Sequence, residues 1–224
     1  IRTSICYGNL NVKFGGAHGG ISVGPDGATH QALEEITIMR VLPGMTVLVP
    51  ADYYETKKAV KAAVEINGPV YIRFGREKTP VVTTPETPFE IGKAITMRKG
   101  QDVSLIACGP MVAEALDAAE KLEKKGISAE VINLHTIKPI DQEALVATVK
   151  KTGCAVTAEE HQMMGGMGSA VAEVLAQNYP VPMEMVGIKD TFGESGQPRE
   201  LMEKYGITSK EIAEKALQAI QRKK

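Results

Sequence analysis

Two imidazoles and a carboxylate fall on one glycine-rich stretch, His18-Gly19-Gly20-Ile21-Ser22-Val23-Gly24-Pro25-Asp26-Gly27-Ala28-Thr29-His30-Gln31. Glycine tolerates left-handed backbone angles and lets a loop approach a ligand closely, while His18, Asp26 and His30 supply groups that exchange protons or hold phosphate. Imidazole suits proton shuttling because its ordinary pKa lies near neutrality, so one ring can accept and donate within a single cycle. Each residue taken singly also fits turn chemistry: Asp26 can accept from a nearby backbone N–H, and Thr29 can cap a following helix. Two of the chain's four histidines beside an aspartate on one loop point instead to an active site.

Hydrophobic spacing defines the elements that must carry this loop. Residues 12–17 read as a strand, 28–40 as a helix and 46–49 as a short buried parallel strand, so the loop leaves a strand end, where open α/β sheets place their ligands. Asp52 and Glu55 make a capping-box-like start to a helix that ends at Asn67-Gly68 before Pro69, and residues 70–74 form another strand. Pro80, Pro85 and Pro88 exclude a long helix or a central strand from residues 78–88. The expected organisation is a first domain over residues 1–80, a linker over 81–90 and a second domain over 91–224.

The second series opens with an edge strand at 91–97 and a strand at 103–108. Gly109-Pro110 then starts a helix in which Val112, Ala115, Leu116, Ala119 and Leu122 form one apolar stripe, ended by Gly126. Strands at 129–134, 154–158 and 183–188 alternate with helices at 141–151 and 168–177, two further helices close the chain, and residues 221–224 read as a frayed tail. The expected fold class is α/β: two consecutive three-layer α/β/α domains with mainly parallel sheets. The first is expected to be shortened at its N-terminus, because residues 1–9 read as the tail of a helix.

The composition is that of a globular protein, with 43% hydrophobic and 24% charged residues in a chain of 224. A net charge of −1 leaves no electrostatic footprint for nucleic acid or an anionic membrane, so neither is expected as a partner. No apolar run approaches a membrane span, and Cys6, Cys108 and Cys154 lack metal-ligand or redox spacing. A cytoplasmic location with reduced thiols is expected.

The loop pattern H-x-x-I-x-V-G-x-D-G-x-T-H-Q closely resembles the pyrimidine-binding domain of transketolases, thiamine-diphosphate enzymes that move two-carbon ketol units between sugar phosphates. The run from Leu42 to Asp52, followed by Glu55-Thr56, resembles the family's strand and P-A-D-x-x-E-T helix start, and Tyr71-Ile72-Arg73-Phe74-Gly75-Arg76 resembles its arginine-bearing strand end. The resemblance implies that His30 lies near the cofactor's aminopyrimidine, hydrogen-bonds the donor's C1 hydroxyl and shuttles protons. It assigns the substrate's C2 hydroxyl to Asp26, and the donor phosphate to His18 and Arg76. A planar guanidinium suits bidentate phosphate contact; Arg73 is the alternative phosphate ligand, and a surface ion pair is the competing role of either arginine, the favoured one for Arg73.

Glu159-Glu160-His161-Gln162-Met163-Met164-Gly165-Gly166-Met167-Gly168-Ser169 leads glycines into a helix but lacks the spacing of a phosphate cradle. It resembles a segment of the transketolase C-terminal domain that packs and orients subunits, which makes His161 structural or interfacial. Met163, Met164 and Met167 suit an irregular apolar contact, in a core or at an interface. The chain departs from a complete transketolase in lacking the G-D-G and Asn motif that holds the metal and the cofactor's diphosphate, and the acidic residue facing the aminopyrimidine would precede Ile1. The resemblance therefore implies an N-terminal partner subunit or segment carrying thiamine diphosphate with Mg2+ or Ca2+, and self-association to a dimer or an α2β2 assembly. Deoxyxylulose-phosphate synthases share the G-x-D-G-x-T-H-Q core but typically have arginine where His18 stands, and the beta subunits of 2-oxo acid dehydrogenases generally lack that core. His18 favours transketolase, with a non-catalytic assembly module as the alternative from another class.

Overall fold

The strand-forming runs collect into two sheets in the computed structural model, which describes residues 1–223. The N-terminal half supplies β1 (Lys13–Gly16), α1 (Glu35–Arg40), β2 (Thr46–Leu48), α2 (Tyr53–Glu65) and β3 (Val70–Arg73). After the proline-rich segment come β4 (Ile95–Arg98), β5 (Val103–Ala107), α3 (Met111–Glu123), β6 (Ala129–Asn133), β7 (Thr136–Lys138) and α4 (Gln142–Thr152). The chain closes with β8 (Ala155–Gln162), α5 (Met167–Asn178), β9 (Met183–Ile188), α6 (Pro198–Lys204) and α7 (Ser209–Gln221).

The first sheet has the order β1-β3-β2-β7 and the second β4-β6-β5-β8-β9. Pairing is parallel except where β7 joins β2 and β4 joins β6. This is the expected α/β class with mainly parallel sheets. Alternation along β5 explains the layering of the second sheet. Val103, Leu105 and Ala107 pack with α3 and α7 on one face, whereas Ile106 packs with α4 and α5 on the other. In the first sheet Leu48, Val70 and Ile72 pack on Ala59 and Ala63 of α2. Its opposite face, Val47 and Tyr71, lies in the same apolar cluster as Leu134, Ile137 and Leu145, so the two sheets share a core.

Asp52 and Glu55 fix the start of α2 in a variant of the expected box. Asp52 accepts from the Glu55 N–H at 3.0 Å, but Glu55 reaches back to the Ala51 N–H at 2.6 Å rather than to Asp52. The second Asp52 oxygen accepts from the Val82 and Thr83 N–H groups at 2.7 and 2.6 Å, tying the proline-rich segment to the helix.

Several expectations are corrected. The helix expected over 28–40 is confined to Glu35–Arg40, because the preceding residues turn back so that Ala32 bridges Gly19. The edge strand expected at 91–97 begins only at Ile95, and β8 runs on through Glu159, Glu160 and His161, ahead of the glycines that lead into α5. β7 has no counterpart among the expected strands. At the N-terminus the helical tail amounts to one turn, Arg2–Cys6, and at the other end the tail is not frayed through Lys223. There Arg222 donates to Glu184 and Lys223 to the Asp102 carbonyl; Lys224 lies outside the described residues. No helix among the described residues is long and apolar enough to cross a membrane.

Candidate active site

The glycine-rich loop leaves the carboxyl end of β1 and is pinned at its base by backbone bonds. Gly19 donates to the Phe74 carbonyl at 2.9 Å, Gly20 to Ala32 at 2.8 Å, and Ala32 returns a bond to His18 at 3.0 Å. His18 itself takes φ +59°, a left-handed conformation uncommon for a residue with a side chain. Gly20 must be glycine for two reasons: its φ is +103°, and a Cβ there would sit 2.3 Å from the Glu160 carboxyl carbon. Deeper in the loop the buried Gln31 amide donates to the Ile21 carbonyl at 3.2 Å and, across the molecule, to Glu194 at 2.9 Å.

This scaffold turns the chemistry outward. The His18 and His30 rings lie 6.2 Å apart, centroid to centroid, with Thr29 Oγ1 3.0 Å from His30 Nδ1. On the same loop Asp26 pairs with Arg76 at 2.9 Å, and Arg76 also donates to the Val23 carbonyl at 3.0 Å. His30, Asp26 and Arg76 are exposed and His18 is half-buried. Four of the five residues singled out in the sequence thus form two at least partly exposed pairs, His18 with His30 and Asp26 with Arg76.

Arg73 is the fifth, and it points the other way. Its side chain is 3% exposed, its Nε pairs with Glu35, and its Nη2 donates to the Glu160 carbonyl at 2.7 Å. Burial alone would lower its pKa, but Glu35 and Glu160 outweigh that and hold the guanidinium charged. The surface ion pair expected as its competing role is corrected in place: Arg73 pairs with Glu35 in the interior beneath the loop, away from the exposed position a phosphate ligand needs.

His161 and Glu159 are structural. His161 Nε2 accepts from the Ile36 N–H at 3.2 Å and Nδ1 lies 2.8 Å from the Gln162 carbonyl, which fixes a neutral ring with its proton on Nδ1. Burial lowers its pKa in the same sense. Glu159 accepts from the Met167 and Gly168 N–H groups at 2.7 and 2.8 Å and so closes the start of α5. Glu160, Glu35 and Gln31 have no role in the sequence reading. Gln31 is visible inside the loop pattern, and the adjacent carboxylates of β8 are visible as a Glu159-Glu160 pair that follows the strand's run of small and apolar residues.

Among the described residues no group of three or more His, Cys, Asp or Glu side chains could hold a metal ion. The loop and the residues after β3 bring two imidazole rings, a carboxylate and a guanidinium to partly or fully exposed positions.

An α/β scaffold presenting this loop at strand ends defines the class, and comparison with known proteins defines the family. Residues 1–82 match the transketolase pyrimidine-binding domain and residues 92–212 the transketolase C-terminal domain. The chain is 45% identical to the 6-deoxy-6-sulfo-D-fructose transketolase subunit SqwH of Clostridium sp., over 100% of this chain and 69% of that protein. With an apulose-4-phosphate transketolase subunit of Phocaeicola vulgatus it shares 38% identity, over 99% of this chain and 71% of that one. A split-gene transketolase, solved as an inactive β4 tetramer, superposes with a TM-score of 0.94 at 49% identity, covering 100% of this chain and 72% of that one. The chain belongs to the transketolase family, whose chemistry depends on thiamine diphosphate, and it corresponds to the family's C-terminal section.

Proposed function

We propose that this chain is the substrate-facing C-terminal subunit or segment of a transketolase, transferring a two-carbon ketol unit between sugar phosphates. It works with an N-terminal partner that holds thiamine diphosphate through Mg2+ or Ca2+. The observation that carries this reading is the outward-facing set of His18, His30 and Asp26 on a loop braced from behind, with Arg76, just past β3, paired to Asp26. When bound, the cofactor supplies the nucleophilic carbon that makes carbon–carbon cleavage accessible. His30 exchanges a proton at the donor's C1 hydroxyl, and Asp26 accepts from the C2 hydroxyl. Arg76 and His18 hold the terminal anion, with Arg76 exchanging its Asp26 partner for the ligand. The names of two relatives, a sulfo-sugar enzyme and a sugar-phosphate enzyme, support a donor with a terminal anion.

The working division is a first domain over 1–80, a linker over 81–90 and a second domain over 91–224, with Asp52 clasping the linker. Exposed Ile38, Met164 and Phe192 line one groove and suit self-association to a dimer or an α2β2 assembly. Cys6, Cys108 and Cys154, all free and buried, suit a reducing, cytoplasmic compartment. In the enzyme assembled with its partner, His30→Ala is expected to lower kcat by about a hundredfold without weakening assembly; unchanged turnover in that complex would remove His30 from the chemistry.

A further inference from the structure

Behind the outward-facing groups, one carboxylate from the other half of the chain reaches the loop. Glu160 lies on β8 of the second sheet, 2% exposed, and its Oε1 accepts from the Ser22 N–H at 2.5 Å. Its own carbonyl accepts from Arg73 at 2.7 Å, and Arg73 ends β3, the strand that leads into Arg76. The loop is shaped to this intrusion. A Cβ at Gly20 would strike the Glu160 carboxylate, and one at Gly19 would come within 2.6 Å of the Arg73 side chain. The residue after Ser22 completes the connection, because the Val23 carbonyl accepts from Arg76, which pairs with Asp26.

We infer that Glu160 is a positioning residue: by holding the Ser22 N–H it sets the height of the Ser22-Val23 backbone, and through the Val23 carbonyl it sets the guanidinium of Arg76 for a substrate's terminal anion. The inference rests on the anion-binding role of Arg76 proposed above. It adds that the second domain determines how well the first binds that anion. Glu160 touches neither substrate nor cofactor, and its effect falls on anion affinity rather than on proton transfer at His30.

The test compares Glu160→Met, which fills the volume without an acceptor, and Glu160→Gln, which keeps an acceptor for Ser22, with Arg76→Ala as control. KM is measured on the enzyme assembled with its diphosphate-binding partner, for a phosphorylated ketose donor and for an unphosphorylated α-hydroxyketone donor. Expected for E160M is a rise of about tenfold in KM for the phosphorylated donor and less than about twofold for the other. E160Q is expected to stay within about threefold of the parent on both. Loss of folded protein lowers kcat without splitting the two KM values, so an equal change in both, or none, overturns the inference. If R76A itself produces no split, the anion-binding reading fails; if R76A splits them and E160M does not, only the positioning role fails. Hydrogen exchange at the Ser22 amide of the free chain reads the same claim without turnover, including for an E160M variant that does not assemble. Protection retained in E160Q and reduced about tenfold or more in E160M supports it, and equal protection in both, or loss in E160Q, contradicts it.

Discussion

Arg73 and Arg76 stand in one short run and face opposite environments, and the difference between them shows what sequence can and cannot supply at the scale of the residue. The types and spacing of His18, Asp26 and His30 mark the glycine-rich loop as a candidate site, whereas Arg76 is picked out only by resemblance to the family's arginine-bearing strand end. What lies beyond reach is the layer underneath. Glu160 meets Ser22 across 138 positions of sequence and Gln31 meets Glu194 across 163, and no local pattern encodes such contacts. Buried titratable groups give this scale its prediction. Burial pushes the Glu55 carboxyl up from 4.5 to about 7, so its contribution to stability is present below about 4.5 and is lost as pH rises through about 7. The shift corresponds to on the order of 3 kcal/mol. Glu159, raised by burial to about 8, acts with the same sign. Burial lowers His135 to about 4 from 6.5, so its opposing contribution is lost only as pH falls below 6.5. Thermal unfolding midpoints should therefore fall between about pH 6.5 and about pH 8, with a shallower slope in Glu55→Gln; a midpoint rising over that window would refute the assignment.

Among the elements, long periodic segments are legible and short or turned ones are not. The stripe of α3 and the buried runs of β5 and β6 follow directly from spacing. The segment before α1 has helical composition, but the bond between Gly20 and Ala32 holds it against the loop, and tertiary pairing overrides propensity. β7 is only Thr136–Lys138, too short for a period to register, and it becomes a strand because β2 offers it an edge. Asp52 does the most at this scale, capping α2 and binding Val82 and Thr83. Burial would raise its pKa, but the hydrogen bonds from Thr83, Glu55 and Val82 outweigh it and hold it below the ordinary value. Asp52→Ala should cost about 3 kcal/mol in urea unfolding, from the lost cap and the stranded linker donors. A loss below about 0.5 kcal/mol would mean that the linker is held by other contacts.

At the scale of the molecule the two sheets are not independent. β7, from beyond the linker, completes the first sheet, Val47 and Tyr71 share a core with Leu134 and Leu145, and the loop is braced from β8. The sequence marks two α/β series but not this interleaving, because a linker rich in proline reads as separation whether or not the chain later returns across it. The result is a loop whose imidazole, carboxylate and guanidinium neighbours meet solvent while its base is held from both sheets. The proposed division of labour gives the sugar phosphate to this loop and the metal-bound diphosphate to an N-terminal partner. The measurement that bears most directly on this division of labour is a ketol-transfer assay with thiamine diphosphate and Mg2+. It is run on this chain alone, on a diphosphate-binding transketolase subunit alone, and on the purified complex of the two. Turnover of sugar phosphates by the complex and by neither component is the expected result. Turnover by the chain alone, or a cofactor-loaded complex that forms and transfers nothing, would contradict it.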